Sequence, residues 1–266
     1  MGGRRIGIRV CLLGSGSGGN CTYIGDEQSG LLIDAGLSAQ ETVYRLRQTG
    51  VDPRSLRGIL ITHEHRDHVY GVESVALHLG LTVYVNEKTR KSGRGFSRIT
   101  SIQEFETGLP FEIEDYLIHP IPLSHDAADP VAFAVEIDGL KMACVTDLGT
   151  ANETLVRGLL GCHLLILEFN HDPRLLQNGP YPIRLKERVS GIHGHLSNQE
   201  AGQLLKAVLH PNLRHLFLAH ISQTNNLPHL ALLAAEESLR LGSENGAEPA
   251  IHLTWQNFTS AVANLP

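Results

Sequence analysis

The stretch Gly58-Ile59-Leu60-Ile61-Thr62-His63-Glu64-His65-Arg66-Asp67-His68, followed by the helical apolar spacing of Val69 to Leu79, decides how this chain is read. Gly58 to Thr62 is short and apolar, as a buried strand is, and the residues after it turn abruptly titratable. The cluster therefore sits on a strand-to-helix loop. On an extended loop, His63 and His65 can aim both imidazoles at one ion, while Asp67 and His68, at the turn into the helix, point at a neighbouring position. One segment can thus feed two metals. Three histidines and an aspartate at this spacing are far more specific than a run of solvated polar residues.

Upstream, Arg5 to Leu13 alternates well enough for a strand. It runs into Gly14-Ser15-Gly16-Ser17-Gly18-Gly19-Asn20, a loop whose glycines permit close approach to a phosphate or simply make a tight turn. Short strands follow around Thr22–Ile24 and Leu31–Ile33, and Ser38 caps a helix reaching Thr49. Downstream, strands are expected near Thr82–Val85, Tyr116–Pro120, Val131–Ile137, Lys141–Thr146 and Leu164–Leu167, with Asp138-Gly139 as a hairpin signal. Ser197-Asn198-Gln199-Glu200 is a capping box opening a helix to Leu209. A strand at His215–Ala219, a helix near Pro228–Arg240 and a final strand at Ile251–Thr254 complete the pattern. Strands outnumber helices but interleave with them. Two sheets packed face to face with helices outside, a four-layer αββα sandwich of the α/β class, suit this order better than a doubly wound parallel sheet.

A chain of 266 residues with 42% apolar content supports a continuous core, and no linker or low-complexity tract divides it, so a single domain over 1–266 is expected. The net charge of -6 argues against a protein that coats nucleic acid by bulk electrostatics and says little about a local site. Cys11, Cys21, Cys144 and Cys162 form no C-x-x-C pair and read as reduced, strand-buried thiols. The apolar stretch after Arg4 and Arg5 is interrupted by Arg9 and then by glycines, unlike a signal peptide or membrane span; a cytoplasmic protein with no membrane partner is expected.

Further candidate ligands recur where apolar strands end: His125 in Ser124-His125-Asp126, Asp147 in Thr146-Asp147-Leu148-Gly149, and His220 in Ala219-His220-Ile221. Each taken singly could equally be a core or turn residue. Together with the His63 cluster, their order resembles the metallo-β-lactamase superfamily across nearly the whole chain. The glycine-rich loop, Ser124-His125-Asp126, Leu167-Glu168-Phe169-Asn170-His171-Asp172 and Gly194-His195-Leu196-Ser197-Asn198 resemble its YycJ/WalJ branch. That likeness implies a 5′-to-3′ exonuclease acting on DNA.

By the same resemblance, His63, His65 and His125 would bind one divalent metal and Asp67, His68 and His220 a second, with Asp147 bridging. Imidazoles and carboxylates without thiolate suit zinc or manganese, and iron is also compatible. Water shared by two such ions becomes hydroxide near neutral pH, which makes hydrolysis the expected chemistry, with Asp67 part of that catalytic centre. His195, held by Glu168 at the end of an upstream strand, is the expected general acid for the departing oxygen; a helix-end hydrogen bond is the plainer alternative. Ser15, Ser17, Asn20, His171, Ser197 and Asn198 are candidate substrate contacts, with helix-start N–H groups offered to a phosphate.

Two basic stretches, Lys88, Arg90, Lys91, Arg94 and Arg98, and then Arg184, Lys186 and Arg188, are either phosphate-tracking surfaces or solvated faces. With aromatic residues at only 5%, backbone recognition is more credible than base reading. The alternatives are a small-molecule hydrolase of a lactone, thioester or small phosphodiester on the same centre, and a non-enzymatic regulatory protein on the same fold.

Overall fold

The computed structural model describes residues 7–242, 244 and 246–266. The sequence suggests one domain; the contacts group into two compact units, one of Met1–Glu106 with Trp255–Pro266, the other of Thr107–Thr254. Among the described residues each unit is built on one seven-stranded sheet.

In the first unit the order along the chain is β1 (Ile8–Gly14), β2 (Cys21–Gly25), β3 (Gly30–Ile33), α1 (Ala39–Gln48), β4 (Leu56–Leu60), α2 (Arg66–Val69), α3 (Val72–Leu79), β5 (Thr82–Asn86), α4 (Glu87–Ser92) and β6 (Ile102–Phe105). β1 to β3 are joined as antiparallel neighbours by short connections, whereas β3 to β6 run parallel, each link needing the crossover that a helix or long loop supplies. Leu32, Ile59 and Val83 of three parallel strands pack with Leu46 of α1 and Val72, Val75 and Ala76 of α3. Ser38 caps α1 as expected, its hydroxyl accepting the Glu41 N–H.

The expected strand from Arg5 begins at Ile8; Arg5 and Ile6 lie outside the described residues. The helical spacing from Val69 is not one helix. α2 is a single turn, and the chain breaks at Tyr70-Gly71 before α3. Gly71 explains the break, because a Cβ there would lie 1.7 Å from the Leu37 carbonyl oxygen, and its N–H donates to Ala35 O at 2.7 Å.

The second unit holds β7 (Phe111–Ile113), β8 (Tyr116–Pro122), β9 (Val131–Ile137), β10 (Leu140–Val145), α5 (Glu153–Leu159), β11 (Leu164–Glu168), α6 (Pro173–Asn178), α7 (Ile183–Val189), α8 (Asn198–Val208), β12 (His215–Ala219), α9 (Pro228–Leu241) and β13 (Ala250–Leu253). β7 to β10 form an antiparallel meander and β10 to β13 are parallel. Asp138 and Gly139, with φ of 51° and 78°, make the β9–β10 hairpin turn that their sequence signals. Leu165, Leu167, Leu216 and Leu218 pack with Leu204, Leu205 and Val208 of α8 and Ala231 and Ala235 of α9. The strand near residue 251 is not the final one: β14 (Ala263–Leu265) pairs antiparallel with β1 in the first unit.

All four cysteines are free and buried; three lie in strands, and Cys162 lies just before β11. Burial pushes the Cys11 thiol up to about 11 and the Cys162 thiol up to about 12, and it raises Cys21 as well. Thiolate is the reactive form, so a thiol-specific reagent at neutral pH should titrate no cysteine in the folded protein and all four in denaturant. Reaction of even one equivalent in the native state would contradict this burial. No helix among the described residues is long and apolar enough to cross a membrane.

Candidate functional site

In the first unit the titratable cluster leaves the C-terminal end of β4, as its sequence indicates, and His65 opens α2. The rings converge: centroids of His63 and His68 are 4.1 Å apart, and those of His63 and His65 4.6 Å. Their orientation comes from Asp34, which follows β3 in the left-handed region at φ 61°. Parallel pairing of β3 with β4 matches Ile33 with Leu60, so the chain just beyond β3 lies against residues 61 and 62. Its carboxylate accepts the Thr62 N–H at 2.9 Å and the Thr62 hydroxyl at 2.9 and 3.0 Å, and lies 2.7 Å from His68 Nδ1.

These bonds assign tautomers. A carboxylate at Nδ1 makes that nitrogen the N–H of His68 and leaves the lone pair on Nε2. The Thr62 hydroxyl, spending its proton on Asp34, can only accept from His63 Nδ1, 3.0 Å away, with the same result. A carboxylate behind an imidazole is the arrangement that orients a metal-ligating histidine and strengthens it as a base.

Asn20 ties the glycine-rich loop to this cluster. Its amide nitrogen lies 3.2 Å from Asp67 Oδ2 and 2.9 Å from His68 Nε2, its Oδ1 accepts the Gly16 N–H at 2.8 Å, and its own N–H donates to Asp67 O at 2.7 Å. Gly36 is needed at the same crossing, since a Cβ would fall 1.7 Å from Asp67 O. Of the expected loop contacts, Asn20 is buried as a brace and Ser15 is buried with its N–H on Trp255 O, whereas Ser17 is exposed. The loop is also held by Arg45, whose guanidinium donates to Leu13 O at 2.6 Å and to Gln256 O at 3.2 Å.

In the second unit His125, Asp147, Glu168 and His220 lie at or just beyond the ends of β8, β10, β11 and β12, and His195 precedes α8. Asp147 is their hub: its Oδ1 stands 3.6 Å from His195 Nδ1, 3.8 Å from His125 Nε2 and 3.8 Å from His220 Nδ1. Asp147, Glu168, His195 and His220 can bring ligand atoms within 4.8 Å of one another, close enough to hold a metal ion. Gly194 O accepts from His125 Nδ1 at 3.0 Å, again leaving the lone pair on Nε2. The Asn170 amide donates to His220 O at 3.0 Å and lies 3.2 Å from its Nδ1. Asp147 and His220 both adopt left-handed backbone, φ 60° and 52°, a conformation that sequence patterning does not advertise.

Glu168 is fully buried and both its oxygens are engaged, Oε1 with His195 Nδ1 at 2.9 Å and Oε2 with the Leu148 N–H at 3.0 Å. That commitment pairs it with His195. Burial alone would lower His195, but the charge and hydrogen bond of Glu168, with Asp147 adding to them, outweigh it and raise its pKa above the ordinary 6.5. The pair is an imidazole held by a buried carboxylate that favours its protonated form.

The remaining expected contacts have structural partners. Ser197 and Glu200 complete the capping box, and Asn198 exchanges two hydrogen bonds with Asn226 at 2.8 and 3.0 Å. His171 is buried, its carbonyl accepting the Asn198 N–H, and burial lowers its pKa. The basic stretches are less cationic than their sequence suggests: Arg90, Lys91 and Arg98 pair with Glu104, Glu87 and Glu73, and Arg188 pairs with Asp126. Sequence reasoning missed Asp34, whose only cue is its place at the end of β3. It also missed Tyr70, 59% exposed beside the cluster, with Arg66 over its ring.

The profile of the metallo-beta-lactamase superfamily matches residues 14–215. The exodeoxyribonuclease YycJ of Bacillus anthracis is 33% identical over 237 residues, covering 88% of this chain and 90% of that protein. The exodeoxyribonuclease WalJ of Streptococcus pneumoniae serotype 2 is 33% identical over 231 residues, covering 85% and 86%. In fold, the metallo-beta-lactamase fold protein YhfI of Bacillus subtilis superposes with a TM-score of 0.70 at 15% identity, over 98% of this chain and 100% of that one.

Proposed function

The chain belongs to the metallo-β-lactamase superfamily of hydrolases, and from that premise we propose that it is a metal-dependent 5′-to-3′ exonuclease acting on DNA. It shares the superfamily's α/β fold, as its sequence leads one to expect. The observation that carries the nuclease reading is the 33% identity, over most of both chains, to two exodeoxyribonucleases. The Glu168–His195 pair beside Asp147 fits it, because expelling a sugar oxygen from a phosphodiester needs a proton donor.

We assign two divalent cations, zinc or manganese with iron compatible, to His63, His65 and His125 for one, Asp67, His68 and His220 for the other, and Asp147 shared. The donor chemistry fits, since the Nδ1 atoms of His63, His68 and His125 are each engaged and leave Nε2 as the lone-pair atom. Such cations supply Lewis acidity, lowering the pKa of water and offsetting phosphodiester charge. Asp67 and Asp147 contribute the negative charge that holds them. His195 stores the proton for the leaving oxygen, and Glu168 keeps that proton on the ring. Four buried free thiols suit the reducing cytoplasm in which we place the protein.

The test is a time course on end-labelled single- and double-stranded DNA and RNA with zinc and with manganese, beside a chelated control. Mononucleotides released from the 5′ end of DNA are expected; internal cuts, or turnover of small esters alone, would overturn the reading. His195→Ala should lower turnover about 10²- to 10⁴-fold with metal content intact, and loss of metal instead would make His195 a ligand. Glu168→Gln removes what holds the His195 pKa up. A general acid works only while protonated, so activity should fall with rising pH at a lower pH than in the wild type. An unmoved alkaline limb would remove Glu168 from this role.

A further inference from the structure

We infer that the pocket beside the glycine-rich loop seats the terminal nucleotide of a single-stranded DNA end, with its base stacked on Tyr70 and its phosphate met by Arg66 and Ser17. This rests on the nuclease reading and adds to it the means of gripping an end. The pocket measures about 400 Å³ and is lined by Ser17, Gly18, Gly36, Arg66, Asp67 and Tyr70. That volume falls within the roughly 300–1,000 Å³ of small-ligand sites.

A tyrosine normally contributes to stability by burying its ring, yet Tyr70 leaves 59% of its surface in solvent. The break at Gly71 puts it there, at the end of a one-turn helix instead of within a longer one packed on the core. Arg66, one turn earlier and also exposed, holds its guanidinium carbon 5.1 Å from the ring centroid. The pair forms a flat aromatic surface with a cation already on it. Every base has a π face, so stacking of this kind accepts any sequence, as an exonuclease requires.

The other walls are built for close approach. Gly18 and Gly36 present backbone only: a Cβ on Gly36 would lie 1.7 Å from the Asp67 carbonyl oxygen, and one on Gly18 would have to displace the Gln256 amide, 2.4 Å away. The Gly18 N–H is donated to Gln256 Oε1, so side chains meet a phosphate here, the Ser17 hydroxyl and the Arg66 guanidinium. Asp67, on the pocket wall, belongs to the titratable cluster, so the seat borders residues proposed to hold the metals.

The experiment compares wild type, Tyr70→Ala and Tyr70→Trp on 5′-labelled single strands whose terminal residue is either a normal nucleotide or abasic. Binding of the same strands is followed by fluorescence anisotropy in chelator. Tyr70→Ala should raise KM and the dissociation constant roughly 10-fold or more on the normal end and change neither on the abasic end, with Tyr70→Trp restoring both. Equal losses on the two ends, or none on either, would overturn the seat. Cleaved DNA with no dependence on Tyr70 rejects the seat and leaves the nuclease reading standing. Tyr70-dependent binding to a strand the loaded protein never cleaves keeps the seat and rejects the nuclease reading.

Discussion

Asp147→Asn is expected to retain the fold while losing hydrolysis by about 10³-fold, with bound metal falling in step. The substitution is chosen for the backbone: residue 147 sits at φ 60°, where Asn and Asp are tolerated and Ala is strained, so loss of function would not be loss of structure. What changes is charge. Oδ1 of Asp147 lies within 3.8 Å of ring nitrogens of His125, His195 and His220, so one carboxylate serves the whole cluster of the second unit. An amide carries no charge and offers cations one oxygen in place of two. Lewis-acid stabilisation is worth several kcal/mol, which converts to about three orders of magnitude in rate. Metal per chain by elemental analysis and single-turnover cleavage measure the two halves of this outcome, and a fully loaded variant with near wild-type rate would refute it.

The second large effect falls on a residue outside the proposed ligand set. Asp34→Ala should destabilise the first unit by about 3 kcal/mol or more, because three donors lose their acceptor together: the Thr62 N–H, the Thr62 hydroxyl and His68 Nδ1–H. Each buried donor left unsatisfied costs about 1–3 kcal/mol, a large share of a stability of roughly 5–15 kcal/mol. Asp34→Asn keeps an oxygen and the left-handed backbone and should fold. It removes the charge behind His68, so metal affinity should drop about 10- to 100-fold. Urea denaturation of the first variant and metal titration of the second check these expectations. Unchanged affinity in Asp34→Asn would mean that Asp34 has only a structural role.

Much of the fold could be read from local pattern. Ser38, Asp138-Gly139 and the Ser197–Glu200 box each act within a few residues, so their meaning is independent of the rest of the chain. β14 was illegible because three residues near the end of the sequence carry no usable period. The His63–His68 cluster was readable because it is contiguous, and His125, Asp147 and His220 because strand ends recur in a familiar order. Asp34 was not, since its role exists only through the register of β3 against β4. Asn20, Ser197 and Asn198 were noticed as polar residues in suggestive places, but their side chains are committed to bracing partners that only the folded chain supplies. Tyr70 was hidden by its helical setting, which a break at Gly71 undoes.

Residues 255–266 belong with a unit whose other residues precede 107, and this has a consequence for biosynthesis. The glycine-rich loop takes its Ser15 and Gly18 contacts from Trp255 and Gln256, β1 its neighbour from β14, and the Leu12 N–H its acceptor from Ser260. On a translating ribosome residues 107–254 emerge as one uninterrupted piece and can fold first, while the earlier-made unit waits for its closing strand. The loop that borders the proposed nucleotide seat is therefore among the last parts to be set, and a nascent chain carries no finished seat while residues 255–266 remain unmade.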